Sequence, residues 1–113
     1  MDFKHSAVAI VPSEDLDSSA AFYARLGFGV TSDYAAHGYR ILHDAGGASV
    51  HLTRVEAGTI DPAVTAHGIY FYSEEVAALA EAFGLRAEAK PWGLTEFAVS
   101  DPSGVLVRVG WPG

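Results

Sequence analysis

Pro91-Trp92-Gly93-Leu94-Thr95-Glu96-Phe97-Ala98-Val99-Ser100 runs into Asp101-Pro102-Ser103-Gly104 and out through Val105-Leu106-Val107-Arg108-Val109. Asp-Pro-Ser-Gly is a tight-turn signature, and the largely apolar runs over 94–100 and 105–111 are the two arms of a hairpin. Asp101 does turn work, its side chain accepting backbone donors beside Pro102. On the arms, Glu96 and Arg108 have two readings: an ion pair across the hairpin, or a carboxylate that Glu96 offers to a cationic ligand. Trp92 also has two. It covers a loop over the core, or its Pro-Gly frame holds it rigidly with one face free for stacking.

Outward from this hairpin the chain divides into two halves of the same pattern, a strand, a helix and three strands. In the first half, residues 6–11 alternate small and branched apolar side chains like a strand with one face on a helix. Ser13, Asp15 and Asp17 offer capping oxygens, Phe22, Tyr23 and Leu26 form a buried stripe, and Gly27 ends the helix. Strands follow over 30–34, 39–43 and 48–53, separated by turn-like Ala35-Ala36-His37-Gly38 and Asp44-Ala45-Gly46-Gly47. The pattern lapses over 55–65, where Gly58 and Pro62 are breakers, so this is a connection between modules of about 1–54 and 66–113 within one domain of 1–113. The second half restarts with a strand over 67–72. Ser73-Glu74-Glu75 opens a helix whose Val76, Leu79, Ala80 and Phe83 face the core until Gly84, and strands over 85–90, 94–100 and 105–111 complete it. The fold class is α+β: two βαβββ modules.

Composition bounds the function. At 113 residues, 50% of them hydrophobic, the chain can bury one core and is small enough to gain from dimerisation. Seven Lys and Arg against fourteen Asp and Glu give a net charge of −7, which disfavours nucleic acid and anionic membrane and suits a cationic ligand. Without cysteine there is no disulfide, thiolate metal site or thiol nucleophile. Neither a leader pattern nor an apolar run of ~20 residues is present, so the expected location is cytoplasmic. Phosphate-cradling glycine loops and serine nucleophile elbows are also missing.

A second motif, Glu14-Asp15-Leu16, Ala21-Phe22-Tyr23 and Leu26-Gly27-Phe28, joins the C-terminal one. Together they resemble the glyoxalase/bleomycin resistance/extradiol dioxygenase (vicinal oxygen chelate) superfamily, closest to its bleomycin-resistance branch. The resemblance implies curved mixed sheets around a groove, in a homodimer. In the enzymes of that superfamily four strands each give one ligand to a divalent metal ion, at positions falling here on His5 (or Ser6, after a one-residue offset), His51, His67 and Arg108. Enzymatic members carry glutamate where Arg108 stands. Arginine has five donors and no acceptor, so it repels a cation instead of binding it.

Two functional classes follow, plus a plainer possibility. The first is a binding protein without cofactor or catalytic residue, sequestering a cationic aromatic antibiotic of the bleomycin type in an acidic groove lined by Trp92, Glu96, Phe97, Arg108, His51, His67 and Tyr39, with Tyr70 and Tyr72 as further aromatics. The alternative is a metal-dependent lyase, isomerase or dioxygenase in which His5, His51, His67 and Glu96 serve one divalent ion. Some other small metabolite fits the same motif equally well. For His51 and His67 the plainer reading is a polar lining; His37 and His43 are surface residues, and Trp111 is an interface anchor or an end-cap.

Overall fold

The computed structural model describes residues 6–113. Its elements are β1 (Ala9–Ser13), α1 (Leu16–Ala24), β2 (Gly29–Tyr34), a 3-10 turn (Ala35–His37), β3 (Tyr39–His43), β4 (Ser49–Arg54), β5 (Gly68–Tyr72), α2 (Val76–Ala82), β6 (Glu88–Ala89), β7 (Leu94–Ser100) and β8 (Leu106–Pro112). The strands make two four-stranded sheets, ordered β1-β4-β3-β2 and β5-β8-β7-β6. In each, the leading strand pairs parallel with the last and the remaining pairs are antiparallel. The α+β architecture of two βαβββ units therefore stands. No helix among the described residues is long and apolar enough to cross a membrane.

Of the three capping candidates it is Asp15 that caps α1, its Oδ1 accepting the Ser18 amide at 3.0 Å. Ser13 is instead buried, its hydroxyl 2.6 Å from that of Ser19. Gly27, at φ 99°, takes the left-handed turn that closes the helix, and Phe28 N–H returns to the Tyr23 carbonyl at 3.1 Å. The start of α2 differs from expectation. Glu75 is its N-cap and makes no side-chain cap bond; the Ser73 hydroxyl accepts the Glu75 amide at 3.1 Å, one step ahead of the helix.

Two strands also differ. β1 begins at Ala9 rather than at residue 6, and its alternation puts Val11 in the core and leaves Ile10 exposed. The strand expected over 85–90 shrinks to Glu88–Ala89 because its ends are spent elsewhere: Leu85 N–H bonds the Ala80 carbonyl to finish α2, and Lys90 N–H bonds the Leu94 carbonyl to close the next turn.

The helix-bearing faces of the two sheets share one core. Tyr23 and Phe28 of the first unit meet Phe71 of the second, with ring centroids 6.5 and 5.0 Å away. Phe22 meets Phe83 at 5.5 Å, and Arg25 lies over the Phe83 ring at 3.8 Å while bonding the Ala82 carbonyl at 2.8 Å. A polar tie reinforces this seam. Tyr23 OH donates to Asp101 Oδ2 at 2.8 Å, and Asp101 Oδ1 accepts the Ser103 and Val105 amides at 2.9 and 3.0 Å. The turn role read from the sequence is thus one half of what Asp101 does. The sheet faces away from the helices are open, and Ile10, Tyr34 and Tyr72 are exposed on them.

Candidate functional site

Side chains alternate along β7, so Phe97 turns to the core while Glu96 and Ala98 turn to the open face. Glu96 is nevertheless only 3% exposed, because three side chains close over it. Trp92 Nε1–H donates to its Oε1 at 2.6 Å, Tyr70 OH donates to the same oxygen at 3.3 Å, and Arg108 Nη1 donates to Oε2 at 3.4 Å. Register explains the convergence: Glu96 lies opposite Gly110 on β8, and Arg108 lies between Tyr70 on β5 and Ala98 on β7.

Gly110 makes room for this cluster. A Cβ there would collide with the Tyr70 hydroxyl and stand 3.1 Å from Glu96 Cβ. Gly93, at φ 84°, lets the chain turn so that Trp92 hangs over Glu96. The result is an indole 58% exposed yet fixed by a hydrogen bond to a buried carboxylate. Burial raises the Tyr70 phenol above its ordinary range, and the charge of Glu96 and the hydrogen bond to it add to the shift against an opposing pull from Arg108. Arg108, with 44% of its side chain exposed, offsets the Glu96 charge, so this cluster is not acidic on balance.

The other expected residues separate. On the first sheet, Tyr39 OH and His51 Nδ1 are 2.8 Å apart, and His51 sits in register between Ile10 and Ile41 on the open face. His67 precedes β5 and is exposed, its amide donating to Thr65 Oγ1 at 3.3 Å. Phe97 is corrected: it packs on Phe83, with ring centroids 6.1 Å apart, inside the core and not in a groove. His37 and His43 are on the surface side, the latter 2.7 Å from Thr31 Oγ1. Gly110 is a further site residue outside the expected set, and its sequence signal is a glycine inside an apolar strand, which marks a close approach.

The metal that the fold's enzymes use does not fit these residues. Among the described residues no three His, Cys, Asp or Glu side chains gather as a ligand set, and Glu96, the alternative's carboxylate, already holds Arg108. His5 lies outside the described residues.

Residues 4–109 match the profile of the Glyoxalase/Bleomycin resistance protein/Dioxygenase superfamily. A bleomycin-binding protein solved in complex with bleomycin superposes with a TM-score of 0.78 at 26% identity, covering 96% of this chain and 98% of that one. A bleomycin resistance determinant encoded on the transposon Tn5 gives 0.75 at 27% identity, over 95% and 97%. Lactoylglutathione lyase from Agrobacterium tumefaciens, 20% identical with a TM-score of 0.69 over 94% and 92%, shares the fold. No curated protein sequence matches the chain. Two βαβββ units, a family profile spanning nearly the whole chain and these superpositions agree: the chain belongs to the glyoxalase/bleomycin resistance protein/dioxygenase superfamily.

Proposed function

We propose that this chain binds a flat, cationic aromatic small molecule of the bleomycin type and sequesters it unchanged in the cytoplasm, with Trp92 as the stacking platform. The observation that carries this reading is the exposed indole pinned through Nε1 to buried Glu96. A ring already fixed loses little freedom when a planar ligand stacks on it, so less of the stacking energy is spent on ordering. Likeness to a protein solved with bleomycin supports the ligand class. Because Arg108 already offsets Glu96, the attraction for a cation comes from the net charge of −7 acting at range, not from one local ion pair.

The same reading makes the protein a homodimer. Ile10 and Tyr34 lie on the open face of the first sheet and Tyr72 on that of the second, and a second copy that sets one such face against the other makes a groove, with Tyr39 and His51 as polar lining from one copy and His67 and Arg108 from the other.

Calorimetric titration with bleomycin or phleomycin tests the proposal. Saturable binding that weakens with added salt is expected, and Trp92→Ala is to lose about 1–3 kcal/mol of it with the fold intact. Absence of binding at high micromolar drug overturns the ligand class and leaves another small metabolite. Turnover of a thiol adduct or catechol with added metal overturns sequestration. Sedimentation at low micromolar concentration is to show a dimer.

A further inference from the structure

A second site is built where the two modules meet, away from Trp92. The α1–β2 corner, the β3–β4 turn, the β5–α2 junction and the end of β8 enclose a cleft of about 620 Å³. Its volume falls within the roughly 300–1,000 Å³ of small-molecule pockets. Phe28 and Phe71, with ring centroids 5.0 Å apart, form an apolar floor continuous with the core. Trp111 forms a wall. It is the outermost of the row Val107, Val109 and Trp111 on β8, and where the first two are sealed in the core Trp111 stays 39% exposed. Trp92, Glu96 and Arg108 take no part in the cleft.

Charge identifies the occupant. Asp44, Glu74 and Glu75 line the opening, and among the described residues no Lys, Arg or His lines it with them. Asp44 is fixed by accepting the Ala48 amide at 2.7 Å, and none of the three carboxylates forms an ion pair among the described residues. A cleft lined by one sign of charge over a low-dielectric floor concentrates the field on what enters it. The aromatic floor and wall favour a flat ring; the rim favours a positive charge on its edge. A second copy of the chain is a poor occupant, because a two-fold contact there would bring the like carboxylates Asp44, Glu74 and Glu75 together.

We infer that this cleft is a binding site for a small aromatic cation, a one- or two-ring system bearing an ammonium or guanidinium group. It is separate from the Trp92 surface and does not depend on the bleomycin-type reading.

The test uses the full chain with naphthylmethylammonium and its uncharged counterpart naphthalenemethanol as probes, followed by calorimetry. The ammonium is expected to bind saturably at one per chain, with the alcohol about tenfold weaker. In the Trp92→Ala background, which removes the other stacking surface, that one site should persist, and there Trp111→Ala and the pair Glu74→Gln/Glu75→Gln should each weaken the ammonium by about tenfold. No saturable heat, equal affinity for the alcohol, or loss in Trp92→Ala with retention in Trp111→Ala each overturns the inference. So does a change in sedimentation on Trp111→Ala with affinity kept, which would assign the cleft to a second copy. Glu74 and Glu75 are exposed, so their amide variants keep the test valid if Trp111→Ala does not fold. Bleomycin failing to bind leaves this result untouched, and the reverse also holds.

Discussion

Glu96 and Asp101 stand on or beside the same strand, and both are carboxylates almost wholly out of solvent, at 3% and 5% exposed. Their partners differ in kind. Asp101 is held by two backbone amides of its own turn and by Tyr23, itself buried in the shared core. Everything it touches is scaffold. Glu96 is held by three side chains, and two of them, Trp92 and Arg108, carry large exposed portions into solvent. Burial of a carboxylate therefore says little about function by itself, since any buried charge must be satisfied. What separates a structural acid from a site acid is whether its partners end inside the protein or at its surface.

The sharpest way to break this contrast is Asp101→Ala. It orphans the Tyr23 hydroxyl and two turn amides in a buried setting, and bonds to a charged group count for more than neutral ones. A loss of about 3–4 kcal/mol is expected in denaturant unfolding. Under native conditions the surviving folded fraction should keep the Trp92 emission of the parent. Should the emission move with the stability, the two acids are not independent.

Gly110→Ala comes next, at about 1–3 kcal/mol, because its new Cβ falls on the Tyr70 hydroxyl and crowds Glu96. Here stability and Trp92 emission should change together, since the crowding acts on the group that holds the indole. Glu96→Gln should cost less, about 1 kcal/mol, because an amide oxygen still accepts from Trp92 while the charged bond to Arg108 is lost. Its signature is acrylamide quenching of Trp92, which should rise in a Trp111→Phe background as the indole loosens.

The sequence carried much of the fold, because turn chemistry and strand alternation are local. Asp101-Pro102-Ser103-Gly104 could place a hairpin, and Asp15 and Gly27 could bound a helix, from neighbours a few positions away. The strand expected over 85–90 failed because competing backbone bonds to Ala80 and Leu94 consumed its ends. The site was legible in part. Glu96 with Arg108 was one of two readings of the hairpin, and the structure makes that pair; Trp92 adds its own bond to the same carboxylate. Phe97 could not share a face with Glu96 while the strand alternates, so adjacency alone argued against placing both in one groove. The Tyr23–Asp101 tie spans 78 positions, and no local pattern announces it.

That tie gives the last effect, one absent at neutral pH. The Tyr23 phenol is raised far above the ordinary tyrosine range, first by burial, then by the charge of Asp101 and the hydrogen bond to it. A phenol held more tightly protonated when folded contributes its full stabilisation below the unfolded value near 10.0 and loses it as the pH climbs above that value. Over that range the unfolded chain releases a proton that the folded chain keeps, so stability falls with rising pH, at up to about 1.4 kcal/mol per unit for one group. Unfolding free energy should thus be flat between about pH 7 and 9 as far as tyrosine is concerned and fall above pH 10. Tyr70 is shifted in the same direction, so it adds to the fall. Tyr23→Phe should remove the larger part of the alkaline slope and Tyr70→Phe the smaller. An unchanged slope in Tyr23→Phe would mean that the phenol ionises as easily in the fold as out of it, and the seam between the modules would then rest on its aromatic packing alone.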